Sequence, residues 1–481
     1  MWNKPPFPAP PQEAAPSLPR RGFFQSVAAG LNGAALTYLL GHDLYAAEDS
    51  QAHHHPRAKS VIHLFMNGGP SQMDLFDPKP ELDRHHGEAY FDKIAGEVEF
   101  PDKAGALMRS PFKFAQHGQS GMWVSDVMPH LATQVDKMTM IRSMHTTNLT
   151  HEPALYKFHS GTEFTGHPSL GSWVSYGLGS ENENLPAYVV LDDPLGLPVN
   201  GINNWQSGFL PAEYQGTRFR ATGSPVLNLN RGYVQPDAVS DYERDLIGRL
   251  DQAFAARRSH LPQLKSRIGT YELASRMQLE AAEALDLSQE TEAMFQLYGI
   301  DHPETESYGR RCLIARRLIE RGVRFVQLFI NSQIWDNHDA IATTLAAACR
   351  RTDKPTAGLL QDLEQRGLLD STLVIWGGEM GRLPIAQLPA DKNESNAGRD
   401  HNKNAMVAWL AGGGVKSGFV YGETDELGLS AVENRVSVTD FHATLLHLLG
   451  LHHEELFITR NGLKDKLTGV NEAQVIREIF G

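Results

Sequence analysis

"SVIHLFMNGGPSQMDLF", residues 60–76, decides how the rest of the chain is read. The run Ser60 to Met66 is apolar without alternation, the pattern of a strand buried on both faces of a parallel sheet. It stops at Asn67-Gly68-Gly69-Pro70, and Gln72, Asp74 and Asp77 follow within a few residues. In open α/β sheets ligands bind beyond the carboxyl ends of the strands. Paired glycines let backbone approach closely there. The stretch therefore reads as a core strand delivering polar groups to a site.

Further strands and helices alternate outward from it. "MTMIRSM", "AYVVLDD", "VRFVQLFI", "STLVIWGG" and "NAMVAWLAGGG" read as strands. "SDVMPHLATQVDKM", "HEPALYKFHSG", "SLGSWVSYGLG", "AIATTLAAACRR", "TAGLLQDLEQRG" and "SVTDFHATLLHLLG" read as helices, the last capped by Ser437 or Thr439. Such alternation predicts an α/β fold, a mainly parallel sheet covered by helices on both faces. Residues 58–481 are expected to form this domain, with a loop-rich and helical elaboration at about 196–300.

Residues 1–57 read differently. Arg20-Arg21, Phe23-Phe24, a small-residue apolar run and "YAAEDS" look like a twin-arginine export signal, predicting a periplasmic or extracellular protein. The run is too short for a membrane span. His53 to His55 read as a solvated linker. The 481 residues carry 44 Lys and Arg against 57 Asp and Glu, a formal charge of −13. That balance argues against nucleic acid as a partner. Two cysteines, Cys312 and Cys349, exclude a disulfide framework and leave one optional bridge. The 21 histidines are a rich supply of metal ligands.

The chemistry-bearing residues cluster where strands end. Asn67 and Asp74 follow the first strand, and Thr150, His151 and Glu152 follow "MTMIRSM". Asp336 and His338 follow "VRFVQLFI", Glu379 and Arg382 follow "STLVIWGG", and Arg399 and His401 precede "NAMVAWLAGGG". Each alone reads equally well as a cap or a core histidine. Their arrival at one sheet edge points to a metal site of imidazole and carboxylate. His151, at the start of a helix with Pro153 in its first turn, is expected to be neutral near pH 7, because the helix N-terminus disfavours an imidazolium. The loop around Asn203, Trp205 and Gln206 offers substrate contacts or a packed Trp.

"GGPSQMDLFDPKP", "TTNLTHEPALYKFHSG", "GEMGRLP", "GRDHN", "AGGGVKSGFVYGETDELG" and "VTDFHATLLHLLGL" together resemble domain-of-unknown-function family 1501, sulfatase-like proteins of the alkaline phosphatase superfamily. The resemblance runs from about Ala58 to the end. It implies a three-layer α/β/α sandwich with metal at the strand ends. By position, Asn67 stands where the superfamily's first Asp is found, with Asp74 as a replacement. Asp336 and His338 match a middle Asp and His, Glu379 a later Asp, and His401 a late His. The implied cofactor is a divalent metal, zinc first, with manganese, iron or calcium as alternatives. The formylglycine motif of sulfatases is missing, and His151, beside Thr150, occupies the nucleophile's place. The expected function is an exported metal-dependent hydrolase of phosphate or sulfate esters, including sulfated or phosphorylated glycans. His151, Thr150 and Arg382 would be catalytic. Asp74, Asp336, His338, Glu379 and His401 would hold metal, and Asn67, Arg399, Asn203 and Trp205 would bind substrate. The alternative is a non-catalytic binding or scaffold protein on a degenerate hydrolase fold.

Overall fold

The computed structural model describes residues 52–220, 236–258, 262–331 and 333–481. The expected twin-arginine signal lies outside these residues. Nine strands form the main sheet: β1 (Ser60–Phe65), β2 (Met138–His145), β3 (Tyr188–Leu191), β4 (Thr217–Phe219), β5 (Phe325–Phe329), β6 (Thr372–Gly377), β7 (Met406–Ala411), β8 (Phe419–Tyr421) and β9 (Val436–Ser437). Their spatial order is β8-β2-β7-β6-β1-β5-β3-β4, with β9 also paired to β2. β1 runs parallel to both β5 and β6, from Val61 opposite Phe325 and Leu373 to Phe65 opposite Phe329 and Gly377. β7 alone is reversed, antiparallel to β2 and β6.

The helices used below are α1 (His151–Ser160), α2 (Leu170–Leu178), α3 (Asp237–Ala256), α4 (Pro262–Leu285), α5 (Glu306–Glu320), α6 (Ile341–Gln365) and α7 (Val438–Leu448). The core has two halves divided by the sheet. Ile62, Leu64, Val326, Val374 and Trp376 pack with α5 and α6 residues such as Leu313, Leu345 and Leu360. Their alternates Val61, Phe65, Phe325, Leu373 and Ile375 pack with Leu155 and Phe158 of α1, Trp173 of α2 and Leu445 of α7. Every residue of β1 is buried, as an unalternating strand between two helical layers requires.

The six strands read from the sequence are present as β1, β2, β3, β5, β6 and β7, and the fold is α/β as expected; β4, in a stretch read as part of the loop-rich elaboration, and the short β8 and β9 were not foreseen. Ser437 caps α7 in a capping box with Asp440. Two helical readings change. "AIATTLAAACRR" and "TAGLLQDLEQRG" are one helix, α6, running through Pro355. Buried residues on both sides of the proline, Leu345, Cys349, Leu359 and Leu363 among them, outweigh a penalty of about 3 kcal/mol. "SDVMPHLATQVDKM" begins in a short strand, Met122–Ser125, and only Leu131–Lys137 is helical, as a 3-10 turn. Cys312 and Cys349 are buried and unbridged. Among the described residues no helix is long and apolar enough to cross a membrane.

Candidate metal centre

The carboxyl ends of β1, β2, β5 and β6 deliver Gly68, His151, Asp336 and Glu379 to one edge of the sheet. His401 precedes β7, which is reversed, so the residues entering that strand share this edge. A two-residue ladder pairs Arg382 with His401 directly.

Here the glycines of the opening stretch explain themselves. Gly68 has φ 111°, and a Cβ there would lie 2.5 Å from Asp336 N. Only a residue without Cβ lets the β1 turn lie this close to the segment carrying Asp336. Gly398 does the same for the other wall, since a Cβ on it would sit 2.1 Å from the His338 carbonyl carbon.

Asp336 is the hub. Its Oδ1 lies 2.8 Å from His338 Nε2 and 3.2 Å from His401 Nε2, and its Oδ2 lies 3.4 Å from His151 Nε2. One ligand atom from each of His151, Asp336, His338 and His401 lies within 4.8 Å of all the others. The His401 ring centroid is 4.4 Å from that of His151 and 4.6 Å from that of His338.

Each imidazole is held from behind through its other nitrogen. His151 Nδ1 donates to Glu379 Oε1 at 2.7 Å. His338 Nδ1 contacts Gln387 Oε1, and His401 Nδ1 donates to Glu99 Oε2. An acceptor on Nδ1 fixes the proton there and leaves the Nε2 lone pair facing inward. Three Nε2 atoms and a carboxylate therefore face one point, an arrangement that could hold a metal ion. His151 Nε2 is buried and meets protein only through its long 3.4 Å approach to Asp336 Oδ2, which falls short of a well-aligned hydrogen bond but is close enough for the carboxylate's charge to act on the ring.

The electrostatics agree. Burial works against the charge of Asp336, but Arg382 and the three imidazoles hold its carboxyl far below the usual range. Burial likewise lowers the His151 pKa, yet hydrogen bonds to Asp336 and Glu379, with their charges, raise it to about 9. The expectation of a neutral His151 is thus not met by the protein groups alone. The two carboxylates outweigh the helix N-terminus and hold a proton on the ring wherever no other cation takes its place.

Arg382 is spent on architecture. It is 1% exposed. Its Nε donates to Gly69 O at 2.9 Å, its Nη1 to Arg399 O at 3.1 Å, and its Nη2 to Trp335 O at 3.2 Å and Asp336 Oδ1 at 2.6 Å. Asp74 and Arg399 are not in the cluster. They form a fully buried pair, Nε to Oδ2 at 2.6 Å and Nη2 to Oδ1 at 3.1 Å, beneath it. Glu379 supports His151 from outside the converging set and accepts Gly68 N–H at 2.9 Å. Asn67 Nδ2 donates to Ile330 O, tying the β1 turn to the end of β5. Thr150 is the exposed N-cap residue of α1 without a side-chain cap bond. Asn203 Nδ2 donates to Tyr156 Oη at 3.3 Å, and Trp205 is buried against Phe329. Sequence reasoning missed Glu99 and Gln387, which lie in segments without strand or helix signals.

Three solved structures illustrate what the chain is similar to. The lipoteichoic acid synthase LtaP from Listeria monocytogenes is 10% identical, with 86% of this chain and 76% of that chain covered and a TM-score of 0.37. The PsFucS1 sulfatase from Pseudoalteromonas sp. is 13% identical, with 83% and 69% covered and a TM-score of 0.35. Alkaline phosphatase from the Antarctic bacterium TAB5 is 11% identical, with 75% and 92% covered and a TM-score of 0.28. No curated protein matches the sequence. The family model described as "Protein of unknown function (DUF1501)" matches residues 58–480, and the chain belongs to that family.

Proposed function

We propose that the protein is an exported metal-dependent hydrolase of small phosphate or sulfate esters, glycan esters included, built on a His3Asp centre. The observation that carries this is the convergence of His151, His338 and His401 Nε2 on Asp336, with every Nδ1 held by an acceptor. The donor set is nitrogen and oxygen without thiolate, which suits zinc, manganese or iron. Its charge suits a cation, since the carboxylates of Asp336, Glu379, Glu99 and Asp400 face it or its ligands and the buried Arg382 offsets only one of them.

His151, His338, His401 and Asp336 would hold the ion. Such an ion would polarise an ester oxygen and activate water. Arg382 and the Gly68 N–H keep Asp336 and Glu379 in place, so the ligands need no rearrangement. The buried Glu379 carboxylate holds the proton of His151 at Nδ1 and so leaves Nε2 free to ligate. Arg382 and Arg399 are committed to internal partners, so the charge of an anionic ester falls to the ion itself. Asp336 and His338, 18% and 21% exposed, form the side open to solvent.

Elemental analysis of natively purified protein, followed by turnover of phosphate and sulfate esters, tests this. About one divalent ion per chain with metal-dependent turnover supports it. Metal without turnover of any ester supports the second reading, a non-catalytic metal-binding protein, which the exposed, unengaged position of Thr150 favours. Export through Arg20-Arg21 is tested by replacing both with Lys: the precursor should stay in the cytoplasm, and unchanged export removes the twin-arginine route.

A further inference from the structure

We infer that Glu99 is a positioning residue for His401 and sets the affinity of the centre for its ion; this rests on the metal reading above. Glu99 belongs to the segment Glu97–Phe100, remote in sequence from every ligand, yet that segment is fastened onto the site at several points. Asp400 Oδ2 accepts Glu99 N–H at 3.0 Å and Phe100 N–H at 2.9 Å, while Asp400 Oδ1 accepts His401 N–H at 2.7 Å. One dipeptide, Asp400-His401, thus grips the Glu99 backbone with its first residue and receives the Glu99 carboxylate with its second. Glu97 pairs with Lys403 at 3.0 Å and accepts from Asn404 at 2.9 Å. The Phe100 ring meets His338 edge-on at 5.3 Å and His401 at 6.3 Å.

Glu99, Asp400 and His401 could themselves be spaced for a second cation. Asp400 is instead engaged by three backbone N–H groups, two on Oδ2 and one on Oδ1, and the Glu99 carboxylate turns to His401 Nδ1. A carboxylate on Nδ1–H fixes the tautomer and ring plane and makes Nε2 a stronger donor. The neutral Gln387 on His338 gives orientation without that charge.

The test is competition titration of Zn²⁺ against a chromophoric chelator, using the full chain and the variants Glu99→Ala and Glu99→Gln. Outer-shell partners of this kind are worth about 10–100-fold in affinity. Glu99→Ala should weaken binding by that factor. Glu99→Gln, which keeps an acceptor but not the charge, should fall between, with a shifted visible spectrum of the Co²⁺-substituted protein. If Glu99→Ala does not fold, the isosteric Gln variant carries the test. Wild-type protein that binds Zn²⁺ while Glu99→Gln binds equally, with an unchanged spectrum, overturns this inference and leaves the metal reading standing. Wild-type protein that binds no divalent ion overturns both.

Discussion

His151 Nδ1 lies 2.7 Å from Glu379 Oε1, and the same fully buried carboxylate accepts the Gly68 N–H at 2.9 and 3.2 Å. The end of β1, the start of α1 and the end of β6 are joined through one side chain. Glu379 therefore lies against His151 Nδ1, outside the group of His151, Asp336, His338 and His401 that could hold a metal.

Two variants separate these roles. His151→Ala removes a ligand and should cost more affinity for Zn²⁺ than the roughly 10–100-fold expected for outer-shell changes, and should abolish ester turnover. Glu379→Gln should fall within that range. Isothermal titration reads both, and a His151→Ala protein with wild-type affinity would exclude His151 as a ligand.

Asp74 and Arg399 form a buried pair, and among the described residues neither makes another ion pair. Removing one partner of such a pair costs about 3–5 kcal/mol. Asp74→Ala should lose that much in urea unfolding while its metal content per folded chain stays at the wild-type value. A stable Asp74→Ala protein depleted of metal would place Asp74 among the ligands instead.

Gly68→Ala tests the turn after β1. The added Cβ would meet Asp336 N at 2.5 Å, and φ 111° is a backbone conformation that L side chains rarely adopt. Strain of this kind costs on the order of 1–3 kcal/mol, and relieving it moves the segment carrying Asp336. Thermal unfolding should show the loss, and metal affinity should drop with it. Unaltered affinity would mean that the turn does not fix Asp336.

The core behind α1 should make stability fall with acid. Burial, with the charge of His442, lowers the His63 pKa to about 3. Burial lowers His442 to about 4 despite its bond to Phe158 O, and burial also holds His159 well below its ordinary value. The unfolded chain binds protons at these histidines below about 6.5, and the folded chain does not. Their contribution is complete above that pH and is lost as pH falls toward 4. At pH 5 each of His63 and His442 should cost roughly 2 kcal/mol. Urea midpoints measured from pH 7.5 to 5 should decline, more shallowly in His442→Gln. Parallel curves for the two proteins would acquit His442.

The sheet was legible in the sequence because its strands are buried on both faces. "SVIHLF", "TLVIWG" and "MVAWLA" are unbroken apolar runs that no exposed segment would carry. The helices around them end at glycines or start at caps. Asp336, His338 and His401 were legible as well, since residues at strand ends must share an edge. The family resemblance named the same positions. Three things were decided only in the folded molecule. The reversal of β7 depends on pairing, which an apolar run does not encode. The division of carboxylates into ligand, support and structural partner depends on distances of a few ångströms, and so Asp74 meets Arg399 while Asp336 meets the histidines. Glu99 reaches the site from a segment without strand or helix and Gln387 from the end of the short strand Ile385–Gln387, each fixed by a hydrogen bond to a residue far along the chain, 302 positions away for Glu99 and 49 for Gln387.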